Sequence, residues 1–104
     1  MNKYGNRKIV IDGMTFDSLK EGRRYGYLKQ IQTLGEITDL ACHVSFDLPV
    51  NRQKVARYVA DFVYTRAGVQ VVEDVKSPAT RKNPVYRLKR KMFAAIYGFE
   101  ITEA

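Results

Sequence analysis

Asp61, Asp74 and Lys76 are the residues whose types and spacing best suit chemistry at a divalent cation. They lie in YVADFVYTRAGVQVVEDVKS, from Tyr58 to Ser77, where two runs rich in valine and tyrosine flank a turn. The turn length decides which side chains meet, because register in a hairpin follows from its loop. A two-residue loop at Ala67-Gly68 pairs Arg66 with Val69, Tyr64 with Val71 and Asp61 with Asp74, and alternation brings Lys76 to the same face as Asp74. Carboxylates directly opposite on one face repel, so the arrangement persists where something positive lies between them. Mg²⁺ suits such a pair, since it takes one or two carboxylates and completes its shell with waters and phosphate oxygens. A three-residue loop centred on Ala67 would instead set Asp61 against Glu73, away from Lys76, and spacing leaves both registers open.

The plainer reading puts these acids on a solvated sheet face. The apolar neighbours Val59, Val63, Val72 and Val75 speak against it, because they make the hairpin look buried on both sides. In a regular strand Glu73 points away from Asp74 and reads as a structural or salt-bridging acid. His43 is the single histidine; alone on a strand it reads as a packed or surface residue. Tyr25, Tyr58, Tyr64, Tyr86 and Tyr97 read mostly as core and rim, with room for one to stack on a base or sugar.

The elements that must hold this hairpin are legible around it. KIVI-DG-MTF reads as an N-terminal hairpin, because Asp-Gly suits the positive φ angles of a type I′ turn. Residues Asn2 to Lys8 before it are basic and expected to be mobile. A helix is expected from Ser18 to Leu34, with Ser18 and Glu21 at capping-box spacing and Gly35 as the left-handed residue beyond it. Leu19, Tyr27, Leu28, Ile31 and Leu34 fall on one arc and are its expected core face. Gly22 and Gly26 weaken that helix by about 1 kcal/mol each relative to alanine and suggest close packing against a sheet or DNA.

Ile37 to Leu48 reads as a strand ending at Pro49, and Asn51 to Lys54 as a polar loop. After the acidic hairpin, Pro78 to Asn83 reads as a basic loop. Asn83 and Pro84 then suit the N-cap and first position of a second helix. Its expected apolar stripe is Val85, Leu88, Met92, Ala95 and Ile96, with Gly98 as the stop and a last strand from Phe99 to Thr102. The order is hairpin, helix, three strands, helix, strand: an α+β domain spanning residues 1–104, with helices packed on a mixed sheet.

Composition narrows the class. The chain has 104 residues, 45% hydrophobic and 28% charged, which permits one core and argues against disorder. Eighteen Lys and Arg against eleven Asp and Glu give a formal charge of +7, which suggests a polyanionic partner. Cys42 is the single cysteine, so an intrachain disulfide and a cysteine zinc cluster are excluded and a reducing, intracellular setting is expected. No run reaches the roughly 18 apolar residues of a membrane span, and MNKYGNRK has no signal-peptide character.

Asp61, a turn, then Asp74-Val75-Lys76 resembles the PD-(D/E)XK nuclease superfamily, whose mark is an acid on one strand and acid-x-lysine on the next. The expected element order is similar to that superfamily's core. FDSLKEGRRY, YVADFVY, VVEDVK and YRLKRKMFAAIYG look like small phage-encoded members, similar to Holliday junction resolvases, across nearly the whole chain. Ala60 stands where the motif's proline would be, and Asp74 where glutamate is commoner. The resemblance implies a restriction-endonuclease-like core and a Mg²⁺- or Mn²⁺-dependent endonuclease acting on DNA. It implies that Asp61 and Asp74 ligate the metal, with the Val75 carbonyl as a further ligand. Lys76 would position the attacking water and stabilise charge on the phosphate. Glu21 matches the acid that many members carry on the first helix near the metal, although at its position it could equally close the capping box on Ser18.

Arg7-Lys8, Arg23-Arg24, and Arg81-Lys82 with Arg87 and Arg90 are the expected DNA contacts, through phosphates rather than bases. The resemblance further suggests a homodimer that acts on branched DNA in phage replication or packaging, in the bacterial cytoplasm. The alternative is a basic DNA-binding or assembly factor that keeps a nuclease-like fold without cutting.

Overall fold

A computed structural model describes residues 7–104; the part of the mobile-arm expectation that falls on residues 2–6 lies outside it. The first hairpin forms as its turn chemistry dictates. Strands β1 (Ile9–Ile11) and β2 (Met14–Phe16) pair antiparallel with Ile11 opposite Met14. Asp12 and Gly13 take φ of 52° and 76° between them, the backbone of a type I′ turn.

Helix α1 (Leu19–Thr33) starts at Ser18, whose Oγ accepts the Glu21 amide at 3.1 Å. It ends at left-handed Gly35, with Glu36 N donating to Ile31 O at 2.9 Å. Its buried face is rotated from the expected one. Glu21, Gly22, Tyr25, Leu28 and Ile31 are covered, while Leu19, Tyr27 and Leu34 are exposed. The close approach at Gly22 explains the rotation: a Cβ there would lie 2.9 Å from Ile9 Cγ2, so the N-terminal hairpin sits directly on the helix. Gly26 faces open space, and only Gly22 serves packing.

The main sheet is longer than its sequence pattern suggests. Strand β3 (Thr38–Val50) runs through Pro49 into a tight turn, and β4 (Gln53–Arg66) begins inside the expected polar loop. Only Asn51 and Arg52 form the turn, both with positive φ. Pro49 is accommodated where the ladder slips by one residue between Leu48 and Pro49, the kind of irregular position at which proline is tolerated in a sheet. Strand β5 (Val69–Asp74) returns antiparallel through Ala67-Gly68, and β6 (Thr102–Glu103) adds a short parallel edge to β5. The order β3-β4-β5-β6 is therefore a mixed sheet in an α+β fold, with the two-stranded β1-β2 sheet beside it.

The expected loop after β5 contains a helical turn, α2 (Pro78–Arg81), which a Ser77–Thr80 capping box holds. Helix α3 (Pro84–Tyr97) begins with Asn83 Oδ1 accepting the Val85 and Tyr86 amides and stops at left-handed Gly98. Phe93 is its single buried residue, and the expected stripe is turned outward, leaving Val85, Leu88 and Ile96 exposed. The last strand starts at Thr102 rather than Phe99; Ile101 before it is buried.

Two apolar clusters lie against this sheet. Phe16, Tyr25, Leu28, Ile31, Ile37, Phe62 and Tyr64 fill the α1 side. Leu48, Tyr58, Ala60, Val63, Val72, Phe93 and Ile101 fill the α3 side. Phe16, Phe62 and Phe93 are wholly buried, each stabilising by roughly 2–3 kcal/mol. Even-numbered residues change cluster midway along the β3–β4 pair. Cys42 and Phe62 pack on the α1 side, Val44 and Ala60 on the α3 side. The switch falls at His43, which holds a φ of 55° inside the strand.

Candidate active site

The Ala67-Gly68 turn, with φ of 49° and 76°, selects the two-residue register. Arg66 pairs with Val69, Tyr64 with Val71 and Phe62 with Glu73, so the next position on each strand brings Asp61 opposite Asp74. The regular ladder ends there, and side chains take over its hydrogen bonds. Asp61 N donates to Asp74 Oδ1 at 3.0 Å, and Val75 N donates to Asp61 Oδ2 at 2.8 Å. Each carboxylate is thereby tied to the other's strand, and both rotamers are set by backbone.

Lys76 Nζ lies 3.3 Å from Asp74 Oδ2 and 4.1 Å from the centre of the Tyr86 ring. Its own carbonyl accepts Lys20 Nζ at 2.6 Å, which fastens the strand end to the start of α1. The Lys76 ammonium is thus held at the acids by an ion pair on one side and an aromatic face on the other.

Glu21 comes to the same place. It is buried, and its Oε1 lies 3.0 Å from His43 Nε2 instead of closing the capping box on Ser18. His43 in turn is opposite Asp61, since Cys42 pairs with Phe62 and Val44 with Ala60 on either side. The left-handed backbone at a non-glycine residue is strain of the kind found at functional positions, and here it marks where the sheet exchanges one core for the other. Treating His43 as an ordinary strand residue missed it. The signal was the β3–β4 register, hidden behind an Asn-Arg turn and a bulge.

The acids are short of compensating charge. Burial, then the negative charge of Asp74, pushes the Asp61 carboxyl up to about 7; Glu21 adds to this, and the Val75 amide and Lys76 oppose it. Asp61, Glu21, Val75 and Lys76 line a small pocket of about 270 Å³ together with Asp17, Lys20 and Thr80. Among the described residues, no three His, Cys, Asp or Glu side chains draw together into a ready-made metal cage. The donor set fits a Mg²⁺-like ion nonetheless: hard oxygens, crowded like charges, and a need for only one or two carboxylates.

Glu73 is committed elsewhere. It is wholly buried, accepts Arg24 Nε at 2.8 Å and Arg24 Nη2 at 2.7 Å, and accepts the Tyr64 hydroxyl at 2.8 Å. This fork removes Arg24 from the expected DNA contacts, because its guanidinium is spent on a buried acid. Arg81 and Arg90 are likewise drawn to Glu103, each at 3.6 Å, and Glu103 also accepts the Tyr86 hydroxyl. Of the remaining expected contacts, Arg7, Lys8, Arg23, Lys82 and Arg87 are exposed. They lie before β1, on α1, between α2 and α3, and on α3. No helix among the described residues is long and apolar enough to cross a membrane.

No curated protein and no solved structure matches the chain. The model of one family matches residues 1–102, and the chain belongs to that family, described as "Protein of unknown function (DUF1064)".

Proposed function

We propose that this protein is a metal-dependent endodeoxyribonuclease of PD-(D/E)XK type with a restriction-endonuclease-like core. The observation that carries the reading is the reciprocal tie between Asp61 and Asp74, with Lys76 3.3 Å from Asp74 and a buried Glu21 nearby. A buried and a half-buried carboxylate fixed by backbone amides, next to a lysine and beside a pocket, are parts that phosphodiester hydrolysis uses.

Asp61, Asp74 and the Val75 carbonyl would hold Mg²⁺ or Mn²⁺, with Glu21 beside them. When bound, the ion supplies an activated water and Lewis acidity towards the phosphate. The chain does the remaining work. Lys76 orients the attacking water and offsets charge that develops on the phosphate oxygens. The backbone ties hold both carboxylates in place before substrate arrives, so no reorganisation is needed at the moment of reaction. Phosphate-directed binding by exposed Lys and Arg favours DNA structure over DNA sequence, and branched DNA is the proposed substrate. A homodimer belongs to the same reading, with Leu88 and Ile96 on α3 as exposed apolar surface for a second copy.

The test is cleavage of supercoiled, linear and four-way-junction DNA with Mg²⁺, Mn²⁺ or EDTA. Cutting is expected only with a metal, and Asp74→Ala should lower the rate by at least ~100-fold, as loss of a transition-state-stabilising group does. Absence of cutting in every arm, or an active Asp74→Ala protein, would leave the non-cleaving DNA-binding factor as the reading.

A further inference from the structure

Lys76 lines more than the small pocket beside Asp61. With Asp74 it also lines a second, larger groove of about 630 Å³ on the α3 side of the sheet. Arg57, Tyr58 and Val59 on β4 form one wall, and Val85 and Lys89 on α3 form the other. Asp74 is the only acid lining it, against Arg57, Lys76 and Lys89. Neither Arg57 nor Lys89 makes an ion pair among the described residues; Asp47, across the ladder from Arg57, pairs with Lys54 instead. Two cations, one from β4 and one from α3, therefore line the groove with Asp74 and Lys76 without an ion pair among the described residues.

The walls are not purely charged. Val59 and Val85 are exposed by 44% and 60%, apolar surface set beside the cations. Tyr58, between them, is buried, and burial and then the nearby charge of Asp74 push its hydroxyl up.

Resting on the nuclease reading above, we infer that this groove binds one unpaired nucleic-acid strand and leads it to Asp74 and Lys76. Arg57 and Lys89 grip successive phosphates, and Val59 and Val85 meet the apolar faces of sugars and unstacked bases. A duplex offers the groove phosphates alone, because its base faces are hidden in the stack. An unpaired strand offers both chemistries; single-strand sites generally join a basic groove to aromatic stacking, and here valines take the apolar part. Selectivity for branched DNA then follows from unpaired nucleotides at the branch rather than from reading the junction's shape.

The test measures binding apart from cleavage. Fluorescence anisotropy in EDTA compares a labelled oligothymidine with a duplex of equal length, for wild type, Arg57→Glu, Lys89→Glu and Lys29→Glu. Lys29 is exposed on α1, away from the groove. The single strand should bind more tightly than the duplex. Arg57→Glu and Lys89→Glu should each weaken it about 5- to 10-fold and lower the salt slope by about one, the mark of a lost phosphate contact. Lys29→Glu should bind as wild type does. Thermal melts check folding, and Arg57→Ala and Lys89→Ala replace any variant that melts early. Tighter duplex binding, or groove variants no weaker than Lys29→Glu, overturns the inference. A protein that binds through the groove and never cuts overturns the nuclease reading alone; one that cuts while its groove variants bind normally overturns the groove alone.

Discussion

Replacing Asp61 by asparagine separates stability from function in a way peculiar to this site. In the folded chain the Asp61 carboxyl sits at about 7 rather than 3.8, through burial and then the charge of Asp74. The folded protein therefore keeps a proton that the unfolded chain releases. Stability from this group is fully present below about pH 4 and is lost as pH rises to about 7. At about 1.4 kcal/mol per pH unit the full span corresponds to roughly 4 kcal/mol. Water in the adjoining pocket screens part of it, so on the order of 2 kcal/mol is expected.

In Asp61→Asn the new amide oxygen can still accept Val75 N–H, and the charge is gone. Without metal at pH 8, the variant should melt roughly 10 °C above wild type, at about 4–8 °C per kcal/mol for a domain of this size. At pH 5 the gain should be less than half as large. Millimolar Mg²⁺ should raise the wild-type melting temperature at pH 8, because it replaces the missing positive charge, and should leave the variant unmoved. Cleavage by the variant should be lost. The assay is differential scanning fluorimetry from pH 5 to 8 with Mg²⁺ or EDTA. A variant that melts below wild type at pH 8, or a Mg²⁺ shift common to both proteins, refutes the charge argument.

Two further predictions concern the scaffold. Glu73→Ala strands the Arg24 guanidinium and the Tyr64 hydroxyl against a buried void, and should cost about 3–5 kcal/mol in urea denaturation. The two helix glycines should respond with opposite signs. Gly26→Ala, facing open space, gains up to about 1 kcal/mol, whereas Gly22→Ala destabilises because its Cβ meets Ile9 Cγ2; thermal melts of the two variants check this.

Much of the site was legible because local chemistry specifies it. The Ala67-Gly68 region allows two registers, each setting an acid against Asp61, and the structure selects the one with Asp74 opposite and Glu73 on the other face. Asp12-Gly13, Asn83-Pro84 and Gly98 were equally readable, each a backbone conformation that few residue types satisfy. His43 was not readable in this way. Its neighbours on β4 depend on an Asn-Arg turn and one ladder irregularity, and residue type gives only a weak sign of its left-handed backbone.

By itself, then, the sequence determined the first hairpin, the helix ends, the α+β order and that an acid on β5 faces Asp61. These rest on turn and cap preferences that act over a few residues. Only the tertiary structure decided which helix faces are buried, that Glu21 bonds His43, and that Arg24, Arg81 and Arg90 are drawn to acids. Leu19, Tyr27, Val85 and Leu88 lie at helical spacing, yet they stay exposed, because Gly22 against Ile9 and Phe93 in the second cluster set the docking. Periodicity can specify a face, but which face is covered depends on the surface it meets, and that surface is assembled from distant parts of the chain.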